Sequence, residues 1–173
     1  MPIYEITVPG VPIPQPRPQV TVHIGSIKGW QAAWKGSIPL LWKSVRRMSN
    51  GRAYVPEAHA IHKWRRAIAA AVRSSIWEDQ LAGPLRVDAV FLFPRTQEMN
   101  RKQPDGPRVW YAKKTKDVDN LIKAVLDAIN DSEVWPDDGL VVDCRGRRYY
   151  AAAGEKPGLL LQIEPLTRGP ATC

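Results

Sequence analysis

The chain has 173 residues, of which 44% are hydrophobic and 24% are charged, as in folded globular proteins and unlike disordered chains. Its 25 lysines and arginines exceed its 17 aspartates and glutamates, and the resulting net charge of +8 indicates a polyanionic partner, either nucleic acid or an anionic membrane surface. The longest apolar run, Ala67 to Val72, is far shorter than the roughly 20 residues of a transmembrane helix. With no secretion signal at the N-terminus, we expect one cytoplasmic domain, residues 1–173, that does not enter a membrane.

The cysteines and histidines form no recognisable metal or disulfide motif. Cys144 and Cys173 have neither metal-ligand spacing nor a disulfide framework, and one of them is the last residue. His59 and His62 lie in a basic segment without an HExxH pattern. We therefore expect no zinc, no disulfide and no small-molecule cofactor.

The N-terminal third begins with a strand and then becomes irregular. A strand that ends at Pro9 is predicted by alternating residues, which place Tyr4, Ile6 and Val8 on one face. The proline-rich stretch that follows favours an extended segment carrying Arg17. In residues 22–50, tryptophans alternate with lysines and arginines, a pattern that suits either base stacking or simple packing.

The middle of the chain predicts a helix followed by a central strand. Apolar residues recur every three or four positions from Pro56 to about Glu78, which is typical of an amphipathic helix. Residues 85–93 predict a strand whose second half is apolar on both faces, as in the middle of a sheet. Residues 94–116 are polar without periodicity, which indicates a functional or mobile loop.

The last third predicts a second amphipathic helix and two strands. Val118, Leu121, Ile122, Val125 and Leu126 follow the helical spacing. Beyond a turn at 136–139, residues 140–150 and 158–165 predict two strands joined by a tight turn. Together these elements predict an α+β fold, with a mixed β-sheet flanked by helices.

Carboxylates cluster around this second helix in a way that helix stabilisation explains only in part. Asp117 and Asp119 stand at its head, and Asp137 and Asp138 follow it. One of the first two could be an N-cap, and an Asp-Gly pair is a common turn. An acid at a helix start contributes only about 0.3–1 kcal/mol, whereas two carboxylates about 5 Å apart repel by roughly 3 kcal/mol at an effective dielectric near 20. If the acids converge, a divalent cation is the better explanation.

Oxygen ligands select hard cations such as Mg²⁺ or Mn²⁺, which commonly take one or two carboxylates together with substrate phosphates. Lys123 follows Asp119 by one helical turn. It could form an ordinary ion pair on the helix surface, or its charge could stabilise a phosphate that is being cleaved.

The stretch KDVDNLIKAVLDAINDSEVWPDDGLVVD, residues 116–143, resembles the RusA-type Holliday-junction resolvases, which are homodimeric endonucleases of bacteriophages and prophages. Its D-x-D-N-x-x-K helix and W-x-D-D turn match the family pattern without a gap. Weaker likeness extends to PQPRPQV and GRAYVPEAHAIHKWRRAI. Residues 22–50 look like a family-variable insertion, and Gln19 stands where many relatives have arginine.

The resemblance implies roles for particular residues. Asp117, Asp119 and Asp138 would bind Mg²⁺, with Mn²⁺ a plausible substitute, and these acids together with Lys123 would be catalytic. Asp137 would be a non-essential neighbour. Basic residues would hold the DNA, and the candidates are Arg17, Lys113, Lys114, Lys116, Arg145 and Arg147.

The function expected from this resemblance is Mg²⁺-dependent, structure-specific cleavage of DNA. A homodimer with twofold symmetry would place two sites on a four-way junction for paired, symmetric phosphodiester hydrolysis. Two alternatives stay open, a nuclease of the same family that acts on other branched DNA and a catalytically inactive, basic DNA-binding module.

Overall fold

The computed structural model describes residues 2–16, 19–21, 52–54, 58–77 and 80–166. The chain divides into two compact units, Met1–Gln15 with Ala60–Cys173 and Pro16–His59. The expected insertion at 22–50 lies outside the described residues, as does Arg17. The expectation of a single domain stays a prediction.

The larger unit is built on a five-stranded sheet with the strand order β1-β7-β4-β6-β5. Strand β4 pairs with β6 in parallel and with β7 in antiparallel orientation, so the sheet is mixed, as the sequence predicts. The edge strands β1 and β5 pair antiparallel to β7 and β6. The strands are β1 (Tyr4–Pro9), β4 (Leu85–Phe93), β5 (Val109–Trp110), β6 (Val141–Tyr150) and β7 (Gly158–Pro165).

Strand β4 occupies the centre of the sheet. Leu85, Val87, Ala89 and Phe91 are buried on one face, and Leu92 near its end is buried on the other. This double burial is typical of a strand with neighbours on both sides, and the strand order confirms the central position expected from the apolar second half of this strand.

Two long helices form a layer on one face of this sheet. Helix α1 (Ala60–Ser75) packs against helix α3 (Val118–Ser132), and Arg65 of α1 joins Asp131 of α3 through a 2.7 Å salt bridge. Gly146 of β6 lies directly below α3, because a Cβ atom at that position would stand 2.6 Å from Ile122 Cδ1 and 2.8 Å from Val118 Cγ2. The first turns of α3 therefore cross β6 near its middle.

The other face of the sheet carries a network of ion pairs. Arg86 contacts Asp143 at 2.9 Å and Glu164 at 2.8 Å, so one side chain connects β4 with both of its neighbours. The Arg86 hydrogen bond holds the pKa of the Asp143 carboxyl below its ordinary value. Arg147 contacts Asp88 at 2.5 Å in the same way. This face is half-exposed, and its arginines and acids largely offset one another in charge.

The structure differs from the sequence-based expectation in two places. The polar stretch 94–116 contains a short helix α2 (Gln97–Lys102), which Thr96 caps through its side chain, and the two-residue strand β5. The two last strands exist as predicted but do not pair as a hairpin, since β4 lies between β6 and β7. Elements of fewer than two turns are too short to show a periodicity. Strands β6 and β7 do not pair with each other, because β6 pairs in parallel with β4 instead.

The smaller unit contains β2 (Gln19–Thr21) and β3 (Arg52–Tyr54), which pair antiparallel. Across all of the described ranges, no helix combines the length and apolar character that a bilayer span requires.

Candidate active site

The start of helix α3 has an unusual backbone. Lys116 adopts a left-handed conformation with φ 63°, which is uncommon for a residue other than glycine and is often found at functional sites. Asp117 follows as the N-cap residue, but its side chain makes no capping hydrogen bond. Capping of the helix by its side chain therefore does not explain why an acid stands at this position. Its exposed carboxylate is left available for another ligand.

Contacts from three parts of the chain hold this helix start in place. Arg148 of β6 donates through Nη1 to the carbonyl of Lys116 at 2.6 Å and to that of Thr115 at 3.3 Å. Lys116 donates through Nζ to the Pro12 carbonyl at 3.1 Å, and its ammonium lies 5.1 Å from the centre of the Phe93 ring. These contacts stabilise a backbone conformation that is costly by itself, so that Asp117 has a fixed position.

The first turn of α3 adds a second acid and the candidate lysine. Asp119 is exposed and forms no salt bridge with any other described residue. Lys123 is exposed one turn further on, where it lies 3.6 Å from Asp127 rather than against Asp119. An exposed pair at that distance contributes little, about 0.3–0.5 kcal/mol, so the ammonium of Lys123 can turn toward a phosphate at small cost.

The two acids beyond α3 have different roles in the backbone. Asp137 accepts a hydrogen bond from the Gly139 N–H at 2.7 Å and so begins the single 3-10 turn Asp138–Leu140. This is the turn role that the sequence offered as an alternative. The Asp138 side chain is half-exposed and takes no part in that cap, so only the second acid of the pair is left for a ligand.

The three acids do not meet within one chain. Among the residues that the structure describes, no three His, Cys, Asp or Glu side chains are close enough to hold a metal ion. The convergence of Asp117, Asp119 and Asp138 expected from the sequence is therefore absent in the single protomer.

The sheet topology gives the reason for this separation. The strand before Asp117 does lie beside β6, as expected, but β5 pairs with Tyr149 and Tyr150 at the far end of that strand. Asp138 precedes the near end of β6. Helix α3, with 15 residues, is about 22 Å long at 1.5 Å per residue and runs back between the two ends, since its first turns cover Gly146. Asp138 thus lies toward the opposite end of the helix from Asp117.

The residues at the start of α3 still fit a hard cation. Asp117 and Asp119 offer exposed carboxylate oxygens within one helical turn, and Mg²⁺ sites often use one or two protein carboxylates with phosphate and water completing the shell. The positive end of the helix dipole adds an attraction for phosphate at the same place. One protomer therefore carries two of the three candidate acids at the start of α3, and Asp138 is the acid that it does not bring there.

Of the five expected DNA-binding residues that the structure describes, four fall into two groups. Lys113 and Lys114 are exposed in the loop before α3, with Lys113 5.9 Å from the centre of the Tyr150 ring. Arg145 and Arg147 lie on the open sheet face, where Asp143 and Asp88 compensate their charges. The side chain of Lys116 is used inside the protein. Of the expected DNA-binding residues that the structure describes, Lys113 and Lys114 are thus the two that lie exposed and without a salt bridge in the loop before the acids.

Arg148 is a positioning residue that the sequence does not reveal. It belongs to the basic run Arg145–Arg148, where alternation along a strand gives no indication of which arginine turns toward the helix start. Gly146, two residues earlier and on the same face of β6, offers the one signal, because a glycine within a strand often marks a close approach of another element.

The model of one protein family, described as endodeoxyribonuclease RusA, matches residues 9–164. The match includes both long helices, strands β4, β5 and β6 in full and β7 except for Pro165, but only the last residue of β1, Pro9. No curated protein matches the chain significantly.

Proposed function

Because the chain belongs to the RusA endodeoxyribonuclease family, we propose that it resolves four-way DNA junctions by Mg²⁺-dependent, paired and symmetric hydrolysis. The observation that carries this proposal is the start of α3. There, the N-cap acid Asp117 leaves its side chain uncapped, Asp119 stays exposed, and a strained Lys116 is fixed by Arg148. Strain of this kind costs of order 1–3 kcal/mol, persists only where surrounding contacts hold it, and is concentrated at active sites.

In this proposal Asp117 and Asp119 hold the cation, for which Mn²⁺ is a substitute. A bound Mg²⁺ supplies a more acidic water and offsets negative charge at the attacked phosphate. The side chain of Lys123, one turn along the same helix, donates hydrogen bonds to the phosphate and stabilises the charge that develops during cleavage. Lys113 and Lys114 bind flanking phosphates without regard to sequence.

We propose that a homodimer completes each site. Asp138 lies toward the opposite end of α3 from Asp117, so the set of three acids is incomplete in one protomer. An isologous twofold dimer in which the two α3 helices run in opposite directions would bring Asp138 of the partner subunit to Asp117 and Asp119. The same symmetry gives two sites for the two strands of a four-way junction, in a protein that works in the cytoplasm of a bacterium or of a phage-infected cell.

A pair of variants tests this function directly. Asp119→Asn removes a metal ligand but leaves the basic surface, so we expect no nicking of a synthetic four-way junction in Mg²⁺ or Mn²⁺ and nearly unchanged binding. Lys114→Ala should have the opposite effect and change binding rather than chemistry. It should weaken binding and reduce the slope of log affinity against log salt by about one. The readouts are denaturing gels for cleavage and titrations at several salt concentrations for binding.

The choice of substrate decides between the possible activities. Four-way junctions should be cut in preference to three-way junctions, flaps and plain duplex of the same sequence. Preferential cutting of flaps or three-way junctions would show a nuclease for other branched DNA. Binding without any nicking by the unaltered protein would show an inactive DNA-binding module, and both results would contradict the proposal.

A further inference from the structure

A stacked aromatic pair stands at the edge of the sheet. The rings of Trp110 in β5 and Tyr149 in β6 have centroids 4.3 Å apart and an interplanar angle of 28°. Trp110 is nevertheless 64% exposed, so one side of its indole is held by the tyrosine while much of the rest meets solvent. A large apolar ring in an edge strand is normally covered, because such edges invite unwanted association.

The strand register shows on which face of the sheet this aromatic pair lies. Trp110 lies opposite Tyr149 and Val109 lies opposite Tyr150. Since side chains alternate along a strand, Tyr149 shares the open face with Arg147, whereas Arg148 between them turns toward the start of α3. The pair is therefore at the same end of the sheet as Asp117, on the opposite face from α3.

The distance from the aromatic pair to the acids is limited by the chain itself. The segment between Trp110 and Asp117 passes through Lys113 and Lys114 and can span at most about 24 Å when fully extended. At about 3.4 Å per base step of one strand, this corresponds to no more than about seven nucleotides. A DNA strand with its cleaved phosphate at Asp117 can therefore reach Trp110.

The chemistry of the pair favours a nucleic-acid base over other ligands. A flat ring supported from behind presents a π-face that accepts any base, and aromatic platforms of this kind bind unpaired bases next to basic grooves. Base pairs around a branch point are the ones most easily opened. The charge of +8, and the lysines at 113 and 114 that follow Trp110 in the chain, favour DNA over a second protein surface.

We propose that Trp110, supported by Tyr149, is a stacking platform for a base that is unpaired at the branch point of the DNA. The inference rests on the proposed function, in that it takes branched DNA to be the substrate of the neighbouring acids. It adds a reason for structural selectivity, because a fully paired duplex offers no free base face near the active site. Lysine contacts to phosphate would be the same for both kinds of DNA.

The test measures binding without cleavage, in an Asp119→Asn background and without divalent metal. Trp110→Ala should weaken binding to a four-way junction by about 5- to 150-fold, the range for loss of one stacked base. Binding to duplex of equal length should change by less than about twofold. With 2-aminopurine placed at positions up to seven nucleotides from the branch point, the quenching caused by the parent protein should disappear at one position.

Two further variants act as controls. Trp110→Phe keeps an aromatic face and should retain most of the junction preference. Trp77→Ala removes a tryptophan that is 92% exposed just beyond α1, and it should change neither affinity nor quenching. Thermal unfolding of each variant checks that the fold is retained.

Three outcomes would overturn the inference. Trp110→Ala could leave junction binding unchanged, it could weaken junction and duplex equally, or it could dissociate a DNA-free dimer in sedimentation velocity, which would make the pair a contact between copies. Failure of the proposed function is a separate result, because it appears as lack of nicking by the parent protein and not as a change in these affinities.

Discussion

At the scale of single residues, the site depends on how one backbone conformation is held. The backbone of Lys116 is left-handed. Its carbonyl accepts a hydrogen bond from Arg148 and its ammonium donates one to the Pro12 carbonyl, so both of its polar ends bind within the protein. A residue expected to bind DNA is thus used to orient the acid that follows it. The sequence shows a basic residue beside an acid, but it does not show which carbonyl the basic group reaches.

Arg148 can be tested as a positioning residue. Arg148→Ala removes both hydrogen bonds to the 115–116 backbone, so Asp117 should be less well ordered and the Mg²⁺ concentration for half-maximal nicking should rise about 10-fold or more, as for other partners of metal ligands. DNA affinity in the absence of metal should change little. Arg148→Lys keeps one donor and should restore part of the loss. A fall in DNA affinity with unchanged Mg²⁺ dependence would assign Arg148 to DNA binding instead.

At the scale of elements, packing between α3 and β6 sets the height of the site above the sheet. Gly146 leaves no room for a side chain below Val118 and Ile122, so the glycine permits the first turns of α3 to lie directly on the strand. The apolar period of the sequence predicts the helix. The close contact between the helix and β6 depends on this single glycine.

Gly146→Ala should therefore disturb the site from below. A Cβ atom 2.6–2.9 Å from Ile122 and Val118 side-chain atoms forces these side chains, or the helix start that carries them, to shift. We expect a loss of about 1–3 kcal/mol in the free energy of unfolding together with reduced nicking. The double variant Gly146→Ala with Ile122→Ala makes room and should recover part of the activity. Urea unfolding and junction cleavage give the two readouts. Equal stability of Gly146→Ala and the parent would contradict the packing argument.

A second element, the turn after β6, contributes stability that depends on pH. The Arg108 guanidinium, which hydrogen-bonds to Glu155, holds the pKa of that carboxyl below its usual 4.5, and the Ala152 N–H also donates to it at 2.8 Å. Because the folded-state pKa is lowered, this stabilisation is complete above the ordinary value and is lost as pH falls through the lowered one.

The expected effect is small and has a definite sign. Glu155→Gln should lower the free energy of unfolding by about 1 kcal/mol or less at pH 7, and the difference from the parent should shrink below about pH 4. Glu98→Gln removes an exposed pair with Lys102 on α2 and serves as the control, with little change at either pH. Urea titrations at pH 7 and pH 3 measure both. A difference that grows on acidification would contradict the assignment.

At the scale of the whole molecule, the separation of the acids is the central feature. The β4–α3–β6 connection is a parallel crossover, and a helix in such a unit runs antiparallel to both of its strands. Residues before the helix and residues after it are consequently carried to opposite ends of the sheet. A metal site that uses both groups then requires a second chain, which is why dimerisation and metal binding are linked in the proposed function.

Mixed dimers test this link. Asp119→Asn and Asp138→Asn should each be inactive alone. When the two proteins are unfolded together and refolded, each heterodimer regains one site with both parent acids, because the mutated positions fall in the same other site. We expect single-strand nicking to return in the mixture, and paired cutting to stay absent. No activity in a mixture that contains heterodimers would show that Asp138 acts within its own chain, and activity of Asp138→Asn alone would show that this acid is not needed.

The sequence alone determined the main elements and the candidate acids. Apolar periods predicted both long helices and the central strand, and the acids at the head and tail of α3 pointed to a hard cation, since periodicity and carboxylate chemistry are local properties of the chain. The tertiary structure decided the rest. Strand order placed β4 between β6 and β7, Arg148 was directed to the helix start, and the crossover separated Asp138 from Asp117. These outcomes depend on contacts between residues far apart in the chain, which no local pattern encodes.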